Sequence, residues 1–143
     1  DFNIIEVHDE RSDKTNIGLT HIGMAGFEVP LNFEQSFPSE LKVFKQTVLP
    51  NRSGKASVFM RIRVLQVSEI LSDTIDTAIA DVTVDFYSED ALLFQDVQKV
   101  KSKARDVSKH HSENIEQALL EGLESFNDFR NRHRPYGCLS ELD

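Results

Sequence analysis

From Ala56 onward, apolar side chains recur at every second position. Val58, Met60, Ile62 and Val64 alternate with Ser57, Arg61 and Arg63, and a period of two sends the two sets to opposite faces of a strand. The phase slips around Leu65-Gln66-Val67, as a bulge would require. After the break at Ser72-Asp73, Ala78, Ala80, Val82, Val84 and Phe86 share a second face, with Asp81, Thr83 and Asp85 opposite. Ser88-Glu89-Asp90 is the size of a hairpin turn. Leu92 and Phe94 then open a third strand that continues through Val97 and Val100 towards Ala104. The pattern predicts strands over about 56–67, 75–87 and 91–104, joined as an antiparallel meander with one dry and one wet face.

Two segments carry a helical period instead. Phe37, Leu41, Phe44 and Val48 fall at i, i+4, i+7 and i+11, behind Pro38 and ahead of Pro50, which predicts a helix over about 37–48. Ile115, Ala118, Leu119, Gly122, Leu123, Phe126 and Phe129 make a longer stripe, predicting a helix over about 108–131. Asp106 and Ser108 are available to cap its start. Arg130, Arg132 and Arg134 suit its carbonyl end, and Pro135 and Gly137 stop it. Towards the N-terminus, Phe2 to Val7 reads as a short strand and His8 to Asn16 as a polar loop. Gly18, Gly23 and Gly26 imply a tightly turning or closely packed backbone, and the Pro30-containing segment Phe27 to Phe33 suits a sheet edge. Together these predict an α+β fold, an antiparallel sheet covered on one face by two helices. Residues 1–134 form a single domain and 135–143 a tail.

Composition narrows the function more than it identifies it. Sixteen Lys and Arg against 24 Asp and Glu give a net charge of −8 over 143 residues, which disfavours an extended nucleic-acid footprint or docking on anionic lipid. Cys138 is the one cysteine, so neither an intrachain disulfide nor a multi-cysteine metal cage is available. Apolar runs reach four or five residues, far from a membrane span. The chain opens on Asp1 rather than Met, as it would if a leader peptide or an upstream stretch had been removed.

The candidate chemistry is sparse. Lys109-His110-His111-Ser112-Glu113 offers two imidazoles and a carboxylate, a conceivable Zn or Ni set. Adjacent helical residues point about 100° apart, however, so His110 and His111 do not readily face one ion. His111 and Glu113 match half of a zinc-deaminase signature whose cysteine half is absent. The acidic stretch Asp9-Glu10-Arg11-Ser12-Asp13 fails the EF-hand pattern, with Arg11 and Lys14 where an oxygen ligand and Gly are needed. The three glycines spell no dinucleotide or phosphate loop, and no nucleophile-elbow or kinase signature occurs. Lys99, Lys101, Lys103 and Arg105 alternate, which places four cations on one face of the third strand. No aromatics interleave to make a base-stacking platform. A wet, aggregation-resistant edge accounts for them, with Asp73, Asp76 or Glu69 as their expected ion partners. Asn51-Arg52-Ser53 is a glycosylation sequon in a predicted turn.

Val7-x-Asp9-x-Arg11 followed by Ile17-Gly18 resembles the opening of small uncharacterised envelope lipoproteins of Gram-negative bacteria. The element order is similar to the compact α+β domains of that group. The resemblance implies a lipidated cysteine and tether upstream of Asp1, a periplasmic or outer-membrane-associated location, and assembly or partner binding without chemistry. This chain departs from the pattern in having no such cysteine at its start. The expected function is a non-catalytic binding or assembly module of the cell envelope. Asp9, Arg11, Asp13, Lys99, Lys101, Lys103 and Arg105 are the contact residues, and the partner is a protein or a second copy of the chain. No cofactor and no nucleic acid are expected, and membrane contact comes only through a lipid anchor. The alternatives are a small metal-binding protein or enzyme using His110, His111 and Glu113 with loop carboxylates, and a cytoplasmic homodimer joined through its sheet edge.

Overall fold

The computed structural model describes residues 2–12, 17–22, 27–31, 40, 43, 56–89, 91–107 and 109–132. Its elements are β1 (Phe2–Asp9), β2 (Gly18–Ile22), β3 (Phe27–Leu31), β4 (Ala56–Ile70), β5 (Asp76–Ser88), β6 (Ala91–Ala104) and α1 (His111–Arg132). The fold is α+β, with one mixed, mostly antiparallel sheet whose path runs β3-β2-β4-β5-β6 and in which β1 also pairs with β4. Strands β4, β5 and β6 pair antiparallel in chain order. Strands β1 and β2 both run parallel to β4, end to end along the edge that β5 leaves free. Phe2 to Asp9 align with Ala56 to Ile62, and Gly18 aligns with Val67. One helix, α1, is described. The expected helix over 37–48 lies outside the described residues except for Glu40 and Val43, which are both helical, and the described cover of the sheet is α1.

Strand β4 follows the expected period with one correction. The register passes from Ile62 opposite Val84 to Val64 opposite Thr83, so Arg63 is an extra residue and the bulge lies there rather than at 65–67. An inserted residue reverses the facing of everything after it. Val58, Met60 and Ile62 are buried before the bulge, and Leu65 and Val67 after it. Val64, expected on the dry face, is 40% exposed. Val97, on β6, is exposed as well. It lies at the alternate parity to Asp96 and Val100 on β6 and is 69% exposed.

The core lies between the dry face of the sheet and α1. Ala80, Val82, Val84 and Phe86 of β5 meet Ile115, Ala118, Leu119, Leu123 and Phe126 of α1 in one buried cluster. Phe126 is its centre. Its ring stacks on Phe86 at 4.3 Å and meets the edge of Phe2 at 4.8 Å, geometries that add to the burial of a large apolar surface. The close packing of α1 on β6 rests on Gly122, where a Cβ would sit 2.7 Å from Asp96 Oδ2.

Asp96 is therefore a carboxylate under a helix. It accepts from Gln98 Nε2 at 3.0 Å through Oδ1, while Oδ2 is buried without a hydrogen-bond partner. Burial pushes its pKa up, Glu121 adds repulsion, and the Gln98 and Ser125 side chains offset part of the rise. The sign follows from a folded-state pKa above the reference 3.8. Above its folded pKa the buried charge is a full penalty. As pH falls through that value the folded state takes a proton the unfolded state does not, and stability rises until about 3.8. Asp96→Asn is expected to stabilise the protein at pH 7 and to remove this acid-side gain. Urea denaturation across pH checks both.

Candidate functional site

The bulge at Arg63 also decides where Glu69 points. It shares the parity of Leu65 and Val67, so its carboxylate enters the dry side, and its side chain is 1% exposed. Two elements meet it. From β2, Thr20 Oγ1 donates to Oε2 at 2.5 Å, the His21 backbone N–H donates to Oε1 at 2.9 Å, and His21 Nδ1 lies 2.8 Å from Oε1. From the first turn of α1, His111 Nε2 lies 2.6 Å from Oε2. Burial alone would raise the Glu69 pKa. The hydrogen bonds from Thr20, His111 and His21 more than offset it and hold the carboxyl below its ordinary range. An ionised carboxylate only accepts, so both imidazoles donate to it. His111 consequently uses Nε2, and its Nδ1 is buried without a hydrogen-bond partner. With its acceptor sites occupied on both oxygens, Glu69 ties β2, β4 and the start of α1 together and has no site left for a substrate proton.

The alternative metal set, His110, His111 and Glu113, is not brought together. His110 turns to Ser102, its Nδ1 3.1 Å from Oγ, and Asn114 Nδ2 donates to the same Oγ at 3.0 Å. His111 is taken by Glu69, and Glu113 is exposed. Among the described residues, no group of three or more His, Cys, Asp or Glu side chains is arranged to hold a metal ion. In the Glu69 cluster each imidazole meets a different carboxylate oxygen at hydrogen-bond distance.

Asp9 and Arg11 were expected on a contact surface and are corrected to a buried pair. Arg11 Nε and Nη2 donate to the two Asp9 oxygens at 2.8 and 2.9 Å, with side chains 5% and 7% exposed. Two parallel bonds to one carboxylate fix the chain where it leaves β1. Asp13 lies outside the described residues. Pairing along the free side of β4 stops where the Glu10 N–H donates to the Ile62 carbonyl. It resumes where the Val67 N–H donates to the Ile17 carbonyl. Gly18 has φ +138° there, and a side chain on it would collide with the Val67 carbonyl. The interval between the two contacts is a cleft of about 260 Å³ lined by Arg11, Ser12, Gly18, Arg63 and Gln66 among others.

The wet face of the sheet carries two sets of charge. Arg63, projecting from the bulge, donates to Asp85 at 2.7 Å and to the Tyr87 hydroxyl at 2.9 Å, and those two bonds raise its pKa. Gln95 donates to the other Asp85 oxygen at 2.7 Å, Glu10 bridges Arg61 and Arg63, and Arg61 stacks 3.9 Å above the Tyr87 ring. Further along the sheet stand Lys99, Lys101 and Lys103 on β6 and Arg105 just after it, all exposed. Their expected partners are corrected. Lys99 pairs with Asp81 at 3.4 Å, and Glu69 is buried on the opposite face. Among the described residues, Lys101, Lys103 and Arg105 have no carboxylate at ion-pair distance.

No family model matches the chain, and no curated protein matches it in sequence. A crystal structure of a minor lipoprotein from Acinetobacter baumannii is similar at a TM-score of 0.42 and 12% identity, over 92% of this chain and 91% of that one. Likeness at that level assigns neither family nor function. Among the described residues no helix is long and apolar enough to cross a membrane.

Glu69→Gln removes the charge that the Thr20, His21 and His111 donors face, and is expected to lose about 2–3 kcal/mol of stability at neutral pH. A carboxyl held below its reference 4.5 contributes fully above that pH, and the contribution is lost as pH falls through the folded-state value. The wild type is therefore expected to lose stability below about pH 4.5 through this group, with that slope absent in the Gln variant. Denaturant titrations at pH 3 to 7 compare the two.

Proposed function

We propose that the chain is a non-catalytic binding module of the bacterial cell envelope, which contacts a protein partner through the wet face of its sheet along β6. The observation that carries the reading is the row Lys99, Lys101, Lys103 and Arg105. These are three exposed lysines in line on an outermost strand of 14 residues with Arg105 directly after it, in a protein of net charge −8. Long side chains held at strand spacing on a flat face suit acidic groups presented at the same spacing, and an outermost strand can also accept a partner strand by main-chain pairing. The envelope setting is supported by the resemblance of Val7-x-Asp9-x-Arg11 and Ile17-Gly18 to the opening of envelope lipoproteins. Burial of Asp9 and Arg11 leaves the β6 cations as the better-exposed candidates of those expected for contact. Separate engagement of His110 by Ser102 and of His111 by Glu69 weighs against the metal-dependent alternative.

A photo-crosslinking residue at position 101, in cells expressing the full-length gene product, is expected to give a discrete protein adduct. The adduct should disappear when Lys99, Lys103 and Arg105 are changed to Glu. An adduct that persists after charge reversal, or none from positions 99, 101 and 103 alike, overturns the reading.

A further inference from the structure

We infer that β2 and β3 form a flap that opens by local unfolding while the rest of the sheet stays closed, and that the Glu69 carboxylate is its latch. The flap lies at the end of the sheet opposite β6, so the inference goes beyond the binding reading above. Strands β2 and β3 pair with each other along their whole length, from Gly18 opposite Leu31 to Ile22 opposite Phe27. Their junction with the sheet is far slighter. Among the described residues β2 aligns with β4 at one pair, Gly18 opposite Val67, and β3 aligns only with β2. By contrast, β5 aligns with β4 from Phe59 to Ile70.

Past Val67 a side chain takes the place of the ladder. The Val67 N–H donates to the Ile17 carbonyl at 2.6 Å. Two residues on, Glu69 accepts from Thr20 Oγ1 and from the backbone N–H and ring of His21. Strand β2 is thus held at two points. The first is a close backbone approach at Gly18, whose φ of +138° puts any side chain against the Val67 carbonyl. The second is the carboxylate. Of the described side chains there, Ile17 and Thr20 are buried and Leu19 is 40% exposed. A segment held by one aligned pair and one polar cluster opens at lower free energy than strands paired on both sides. Two strands parted from their sheet are marginal in water, so parting and loss of the β2–β3 ladder coincide. Opening uncovers Val67 and Glu69 and bares an edge of β4 that the closed flap covers. The bond of Glu69 to His111 persists in the open state, since it lies within the part that stays folded.

Amide hydrogen exchange by NMR, under conditions where rates report equilibrium opening, tests this residue by residue. The His21 and Val67 amides, which donate across the junction, and the β3 amides that pair with β2 are the flap probes. They are expected to be protected, yet to exchange about a hundredfold faster than the slowest β5 amides and with a weaker dependence on urea. Thr20→Val and Glu69→Gln should each speed the flap probes by about tenfold or more. Ile62→Val, a mild change in the part that stays folded, separates local from global opening. It should speed the slowest β5 amides about threefold to tenfold and leave the flap probes unchanged, because the closed and open states share its cost. Flap probes that exchange at the β5 rate, or that speed up with β5 in Ile62→Val, overturn the inference. So do flap probes with no protection in the unmodified chain, and flap rates that neither Thr20→Val nor Glu69→Gln alters.

Discussion

The one-residue bulge at Arg63 is the constraint on which the sheet depends. Strand β4 is the only described strand that pairs with three others, β1, β2 and β5, and the bulge divides it into two halves of opposite parity. The first half buries Val58, Met60 and Ile62. The second buries Leu65, Val67 and Glu69, and turns Val64 outward. Arg63 itself projects to the wet face, where Asp85 and Tyr87 accept from it. The break in parity coincides with the break in pairing on the other side of β4, where β1 stops and β2 begins. The cleft beside Arg11 fills that interval. A bulge is normally a local adjustment. Here it sets the facing of the residues that hold both sides of the sheet together.

Beneath α1 the dry face contains two carboxylates in contrasting surroundings. Glu69 lies at the helix start, where Thr20, His21 and His111 supply donors to both oxygens and keep it ionised despite its burial. Asp96 lies further along, below Gly122, with one oxygen bonded to Gln98 and the other without a partner. A buried charge is tolerable when its lone pairs are met and costly when they are not. The two groups therefore respond to acid in opposite directions. The rest of the helix contact is apolar, with Phe126 between Phe86 and Phe2 as its largest element.

The wet face divides by function. Around Arg63 the charges satisfy one another, since Glu10, Asp85, Tyr87 and Gln95 leave little of either guanidinium to a partner. Along β6 the cations outnumber their described partners, with Asp81 meeting Lys99 alone. The row along β6, beside an exposed valine, thus differs from the Arg63 network, whose charges meet one another within the chain.

Period-two alternation and the helical stripe were legible in the sequence, because each depends on residues within a few positions of one another. They located β4, β5, β6 and α1 to within three residues at each end, and the alternation of Lys99, Lys101, Lys103 and Arg105 already placed those cations on one face. The parity after the bulge was legible only in part. A phase slip was visible, but moving it from 65–67 back to Arg63 exchanges Val64 for Glu69 on the dry face, and that displacement is fixed by the pairing with β5. A slip followed carefully to the strand end would have signalled a buried Glu69. Its partners could not have been read, because Thr20, His21 and His111 lie more than 40 residues away in the chain. The pairing of Asp9 with Arg11 is local in sequence, yet its burial depends on β4 lying alongside. Local periodicity determined which segments fold into which elements. Which polar residues are enclosed and which stay in water was decided only by tertiary pairing, since burial is a property of neighbours that the chain brings from far away.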